Sequence, residues 1–529
     1  MTTLLDLLAG RPTLLALGEP THGESAFLQI RNDTFLTLAE HGYRSIALES
    51  DRAAGLLADE FVRGGAVPLD RALAEGFSHG FGAAPANRDL LLRMREWNAE
   101  RPAAQQLRFH GFDAPLEMEG APSPRRHLTL VCDFLGLDRS AEIDDLVGDE
   151  ARWSDTAAVW EPGRSVGRST DAQRLRVLAD DLLTELYRQA HRRPTGWWEA
   201  HVQATSAIAL LRYHAAAAAA DLAQEERFAY LAGVRDALMA ENLLAIRAVE
   251  ADRGPTLVFA HNTHLQRHPS TMTVGAATVS WAGAGAIVGA LLGERYAVVV
   301  GSLGVSPALG IDAPAASTFE GRLQQRGDLP GYVRAGDVVP AERRSHDYRY
   351  VPLDQASIDN ADAVLHIPTG VDAAVLAERI GALPGVEQVV ASAENGSPEG
   401  AWGDRFFHVG PDRRQPFATI VEHDVPGFDE AGQLDRPGVF RLNLELGRAE
   451  FEKKFGFAPA AFEEHRDDFD YARLDTLTPH PDYALYGFAS IVMPGPQMLP
   501  EIDRLIAIAH RRAVDRHERA TRRAADQQD

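Results

Sequence analysis

Four short strand-like runs, each leading into histidine or carboxylate side chains, constrain this chain more than any other feature. Pro12–Leu17 leads into Gly18-Glu19-Pro20-Thr21-His22-Gly23-Glu24, and Ser45–Leu48 into Glu49-Ser50-Asp51. Leu107–His110 leads into Gly111-Phe112-Asp113, and Thr256–Ala260 into His261-Asn262-Thr263-His264. Runs without polar alternation, such as Pro12–Leu17 and Thr256–Ala260, are strands buried on both faces, which is the pattern of a parallel sheet covered by helices. Phe27, Ile30, Thr34 and Leu38 recur at helical spacing between the first two runs, so a right-handed crossover predicts that those two strands are parallel neighbours.

The same grammar predicts a helix over Asn87–Asn98, a long helix through Glu241, and further strands at Ala297–Val300 and Ala363–Ile367. Between about 125 and 250 alanine, leucine and arginine dominate, with few strand signals. This reads as a large helical insertion, with Ala215–Ala220 in a helix interior. Residues 1–370 are expected to form one α/β unit with a mostly parallel sheet flanked by helices. Residues 371–520 are expected to form a small α+β domain: a helix Val371–Leu383, a Gly/Pro/Ser-rich loop Glu394–Gly403, strands Phe417–Val421, Val439–Leu446 and Gly487–Val492, and a helix Ile502–Ala513. A charged tail, 521–529, is expected to fray.

Composition removes several functions. The formal charge of −23 opposes nucleic acid, whose binding needs a cluster of cations for the phosphates. Lys453 and Lys454 are the only lysines, so Schiff-base and P-loop chemistry is absent from the preceding sequence. The single Cys132 allows no internal disulfide and no multi-cysteine zinc site. The opening MTTLLDLLAGRP has no basic segment and no long apolar run, and no 18-residue apolar stretch follows. The expectation is a cytoplasmic protein with a small-molecule substrate and no membrane partner.

In an open parallel sheet, ligands bind beyond the carboxyl ends of the strands. Histidines and carboxylates at four strand ends there suit general acid–base work on an acyl group: an imidazole takes a proton from water near neutral pH, while a carboxylate fixes its tautomer. No Gly-x-Ser-x-Gly elbow occurs and Cys132 lies outside these segments, so direct attack by water is expected and no acyl-enzyme. His261 and His264 with Glu19, Glu49 or His22 could instead hold a metal, although no His-Glu-x-x-His segment is present.

The segments LGEPTHGESAF, RSIALESD, LLRMREWN, LRFHGFD, GVRDALMAENL, FAHNTHL, FEGRL and ADAVLHIP, in this order, resemble the erythromycin esterase family over about residues 10–370. The resemblance implies metal-independent hydrolysis of a macrolide lactone or related ester in a deep cleft, with no cofactor. Antibiotic resistance is one role it allows. Carried onto this chain, it makes His22 the base, Glu19 and Glu49 its partners, and His261 and His264 the remainder of the catalytic set. Arg31, Asp113, Arg235 and Glu241 become supporting or substrate-binding residues. The chain departs from the family pattern four positions after His22, where Ala26 replaces an acidic residue and Glu24 stands nearby. Trp197 and Trp198 are candidates for an aromatic wall, or for core packing.

GDRFFHVGPD, PFATIVEHD, LDRPGVFRLNLELGR and LTPHPDYALYGF resemble a bacterial domain of unknown function over about 375–518. There His408, His423, Asp424, His480 and Asp482 are candidate site residues. Two other functions use the same features: a metal-dependent hydrolase, and a non-catalytic small-molecule or iron/haem-binding protein.

Overall fold

The computed structural model describes all residues except 1–3, 9, 117–119, 221, 275–276, 307–308, 327–330, 346–349, 370–372, 412, 414, 426, 436–438, 495–497 and 526–529. The expected α/β architecture is present. Strands β1 (Leu14–Glu19), β2 (Ser45–Asp51), β3 (Arg108–Asp113), β4 (Thr256–His261), β7 (Tyr296–Val305), β8 (Gly331–Arg334) and β9 (Ala363–Thr369) form one seven-stranded sheet in the order β3-β2-β4-β1-β7-β9-β8. All neighbours are parallel except the edge strand β8, which runs antiparallel to β9. Between β4 and β7 a short hairpin, β5 (Ser270–Val274) and β6 (Ala277–Trp281), stands apart from the sheet.

The central strands explain their own burial. Leu15 and Leu17 of β1 pack on one face with Phe27, Ile30, Ile46, Leu48 and Phe259, while Leu14 and Ala16 pack on the other with Met239, Leu243, Ile246 and Val258. Alternate side chains thus enter two cores, each buried leucine contributing about 2 kcal/mol. The stripe Phe27, Ile30, Thr34 and Leu38 is buried on the helix Ser25–Glu40, as its spacing requires.

β1 and β2 are not neighbours, contrary to the expectation from the crossover between them. β4 lies between the two, paired in parallel with each. The long connection from β3 returns the chain to this gap, where β4, apolar on both faces, is flanked by a parallel strand on either side. Register then sets Glu19 opposite His261, and Glu49 follows on the other side of β4.

The connection from β3 to β4 is helical, with helices Arg125–Leu135, Ser140–Val147, Thr170–Gln189, Trp197–Ala217 and Gln224–Val249. The alanine run does not stay helical to its end. The helix stops at Ala217, because the buried Arg227 guanidinium captures the carbonyls of Ala217 and Ala219 together with those of Ala158 and Val159.

A second sheet is antiparallel, in the order β10-β11-β12-β13-β15-β14. Its strands are β10 (Val386–Val390), β11 (Arg405–Val409), β12 (Ala418–Val421), β13 (Arg441–Glu445), β14 (Leu477–Pro479) and β15 (Phe488–Val492). Phe407, Ile420, Leu442, Leu444 and Ile491 meet Leu376, Ile380, Ile502, Leu505 and Ala509 from the helices Ala373–Gly381 and Leu499–Ala525 in one core. The last helix is longer than expected and runs to Ala525, through the first five residues of the expected tail. No glycine or proline follows Pro500 in it, Arg516 reaches Glu445, and Arg522 pairs with Glu518 one turn back. Residues 526–529 of the expected tail, and 371–372 of the expected helix, lie outside the described residues.

Candidate active site

β1 delivers Glu19 as its last residue, and the turn Pro20–Glu24 carries His22 back over the strand end. Two glycines permit this path. Gly18 faces the Asn262 side chain so closely that a Cβ would stand 2.2 Å from Oδ1, and Gly23 takes a left-handed φ of +83°. Glu24 then caps the helix Ser25–Glu40, its carboxylate accepting from Ala26 N. Glu24 therefore serves the helix start beside Ala26.

His22 Nδ1 meets Glu19 Oε1 at 2.8 Å, and its Nε2 stands 3.8 Å from Glu49 Oε1. Its ring lies 5.2 Å from that of His261 and 5.4 Å from that of Phe81. The side chain of His22 is 41% exposed whereas those of Glu19 and Glu49 are 6% and 5%, so the imidazole is the member of this group that meets solvent.

Glu49 is fixed from three sides. One oxygen accepts from the His261 backbone N–H at 2.8 Å; the other accepts from Arg235 at 3.2 Å and lies 3.3 Å from His264 Nε2. Burial would raise its pKa, but His264, His22 and Arg235 together hold it well below the ordinary carboxylate range. His264 is clamped in turn, its Nδ1 2.7 Å from Asp236 Oδ1. Asp236 is fully buried and also accepts from Trp281 Nε1 at 2.7 Å and Ala284 N at 2.9 Å. Burial opposes the charge on His264, but Glu49 and Asp236 overcome it and push its pKa up to about 10.

His261 is the opposite case. Burial, reinforced by the neighbouring His22, pushes its pKa down to about 3. Its Nδ1 accepts from Thr263 N at 3.3 Å and meets Thr263 Oγ1 at 2.7 Å, and the ring is also bonded to the Pro20 backbone. It is thus a neutral strut under the turn that carries His22. For His22 itself burial lowers the pKa, while the hydrogen bond to Glu19 and the charges of Glu49 and Glu19 outweigh it and raise the value above 6.5. Burial raises the pKa of Glu19, partly offset by His22.

Among the residues expected from the sequence, Glu19, His22, Glu49, His261, His264, Asp113 and Arg235 form one connected cluster. Asp113 is fully buried and accepts from Arg235 Nε at 3.0 Å and Nη2 at 2.5 Å, so it braces Arg235 and does not line the cleft. Arg31 is also buried. It donates to Asn32 and Asn87 and lies over the Phe259 ring at 5.0 Å, sealed from a ligand. Glu241 stands outside the cluster, exposed and paired with Arg212. Three participants were not foreseen: Asp236, which holds His264, Trp281, which donates to Asp236, and His79, 3.0 Å from Asp113. Asp236 directly follows Arg235 in GVRDALMAENL, which is the one signal that pointed to it.

Trp197 and Trp198 are half-buried at the start of their helix and both stack on His201. In the second sheet, Asp424 is spent on the Leu434 backbone, and His480 Nδ1 accepts from Asp482 N and Tyr483 N as a turn anchor. His408 is buried on β11. His423 lies near Asp404, whose pKa burial raises to about 6. Among the described residues no three His, Cys, Asp or Glu side chains are grouped to hold a metal ion. No described helix is long and apolar enough to cross a membrane.

Fold and site together define an α/β protein with a histidine–carboxylate centre at the carboxyl edge of its sheet. The erythromycin esterase family model matches residues 38–367, and the chain belongs to that family of hydrolases. Residues 371–523 match a family of unknown function. No curated protein matches the chain in sequence. A histidine-to-asparagine mutant of the erythromycin esterase EreC in its open conformation shares the fold. It is 18% identical with a TM-score of 0.50, over 69% of this chain and 92% of that one. A Bacillus cereus protein is 16% identical, TM-score 0.49, over 68% and 89% of the two chains. A succinoglycan biosynthesis protein is 17% identical, TM-score 0.48, over 68% and 88%.

Proposed function

We propose that the protein hydrolyses a carboxylic ester or lactone by direct attack of water, with His22 as general base. One observation carries this reading: of the three imidazoles in the cluster, His22 alone combines solvent access with a nitrogen free to take a proton. His264 has both nitrogens committed to carboxylates and carries a fixed charge, and His261 is too weak a base near neutral pH.

In the neutral tautomer with its proton on Nδ1, His22 donates to Glu19 and presents the Nε2 lone pair to the cleft. Water held there loses a proton to Nε2 as its oxygen attacks the ester carbonyl. The imidazolium so formed faces the Glu49 carboxylate at 3.8 Å and is stabilised by it and by Glu19. The same proton then passes to the departing alkoxide, which leaves as an alcohol. The neighbouring Thr21 hydroxyl donates to the His22 backbone carbonyl and not to its ring, which supports water over that hydroxyl as nucleophile.

The substrate reading is a small molecule, and family membership together with the fold shared with an erythromycin esterase makes macrolide lactones the first class to test. Purified protein is incubated with a panel of macrolides, simple lactones and esters, and products are followed by mass spectrometry. A time-dependent gain of one water in a lactone, or cleavage of an ester, is expected. Binding without any such conversion across the panel would contradict the proposal and point to a binding protein.

A further inference from the structure

A second polar cluster lies between the carboxyl edge of the sheet and the helical insertion, and the hydrolytic mechanism does not use it. At its centre is Arg52, directly after β2 and only 5% exposed. Its Nη1 donates to Asn242 Oδ1 at 2.7 Å and to Thr205 Oγ1 at 3.3 Å, whereas Nε and Nη2 are buried without a hydrogen-bond partner. The opposing charge acting on it among the described residues is that of Glu241, which is exposed and already paired with Arg212. Buried guanidinium groups are ordinarily paired, and an unpaired one is costly.

The identity of the two open nitrogens is informative. Nε–H and Nη2–H lie parallel on one side of the guanidinium and form the fork that receives two oxygens of one oxyanion. Beside it, His201 has a buried Nδ1 without a partner and is held neutral, its pKa lowered to about 4 by burial and by the charge of Arg52. Trp198 covers the guanidinium face at 5.2 Å and stacks on His201. Arg52 follows Glu49 by three residues, so their Cα atoms lie within about 10 Å of each other.

We propose that Arg52 is an oxyanion-binding subsite that takes the carboxylate or phosphate group of a small molecule in its Nε–Nη2 fork, with Trp198 swinging aside to admit it. The inference concerns binding alone and stands whether or not the protein hydrolyses esters. The test is the thermal unfolding midpoint of the full chain titrated with sodium acetate or with inorganic phosphate, against sodium chloride at equal ionic strength. A saturable rise is expected in the acetate arm for a carboxylate site and in the phosphate arm for a phosphate site, because a ligand that binds only the folded state stabilises it by mass action. Arg52→Met is expected to abolish the rise. Arg52→Lys, which keeps the charge and loses the fork, is expected to weaken binding by about tenfold or more, as loss of one charge-assisted hydrogen bond implies. Should the Met variant not fold, the Lys variant decides. The absence of a saturable rise in both arms for the unmodified chain overturns the proposal, as does an equal rise in the Arg52 variants.

Discussion

Asp236→Asn tests whether the cluster carries the charges assigned to it. The carboxylate accepts three hydrogen bonds, from His264, Trp281 Nε1 and Ala284 N, and is fully buried. An amide of the same shape removes the charge and sets an N–H against one of three donors. Breaking a buried ion pair from one side costs about 3–5 kcal/mol. Linkage gives a second route to the magnitude. His264 is raised from 6.5 to about 10 by Glu49 and Asp236 together. At about 1.36 kcal/mol per pKa unit this favours the charged form by roughly 5 kcal/mol net of burial, with Glu49 and Asp236 both contributing. A loss of about 3 kcal/mol is therefore expected at pH 6. With a urea slope of about 3 kcal/mol/M, the midpoint falls by about 1 M. Tryptophan fluorescence follows this unit selectively, since Trp402 is the only one of the seven tryptophans beyond residue 370. The pH dependence has a definite sign. A histidine whose folded pKa is raised contributes stability fully below 6.5 and loses it as pH climbs toward about 10, so the variant's deficit should shrink across that window. A midpoint within about 0.3 M of the parent at pH 6, or a deficit independent of pH, would refute the charged His264–Asp236 pair.

Two further outcomes follow from the same geometry. Glu19→Gln removes the carboxylate that helps raise His22; since the base must be neutral, kcat/KM rises through the His22 pKa, and the variant should move that acid limb to lower pH. An unmoved limb, or one displaced upward, counts against Glu19 as the partner. Gly18→Ala drives a methyl group into Asn262, which joins Gly301 through both its amide atoms, so unfolding should cost about 3 kcal/mol less than in the parent. A change below about 0.5 kcal/mol by urea titration would show that the approach is not tight.

The strands that frame the site were legible because burial on both faces writes itself into sequence as unbroken apolar runs, as in Leu14–Leu17 and Thr256–Ala260. Polar side chains at the strand ends were legible for the converse reason, since Glu19, Glu49 and His261 interrupt those runs abruptly. Strand order was not. β4 enters between β1 and β2 through pairings more than 200 residues apart, and local periodicity carries no record of that choice. Asp236 escaped notice because a single acid within a helix ordinarily belongs to the solvated face, and only the folded arrangement turns it toward Trp281 and His264. His79 lies at a left-handed φ of +57° in a loop with no repeating pattern, where no periodicity argument applies. The hairpin β5–β6 and the four-residue β8 were too short to rise above turn-like sequence.

The proposed hydrolysis depends on one imidazole, that of His22. On any ester or lactone the protein cleaves, His22→Ala should lower kcat/KM by about a hundredfold or more, as removal of a general base does, with the urea midpoint held near that of the parent. A folded His22→Ala protein that turns over the same substrate within about threefold of the parent rate would contradict it, because His264 already carries its proton and His261 is too weak a base to take its place.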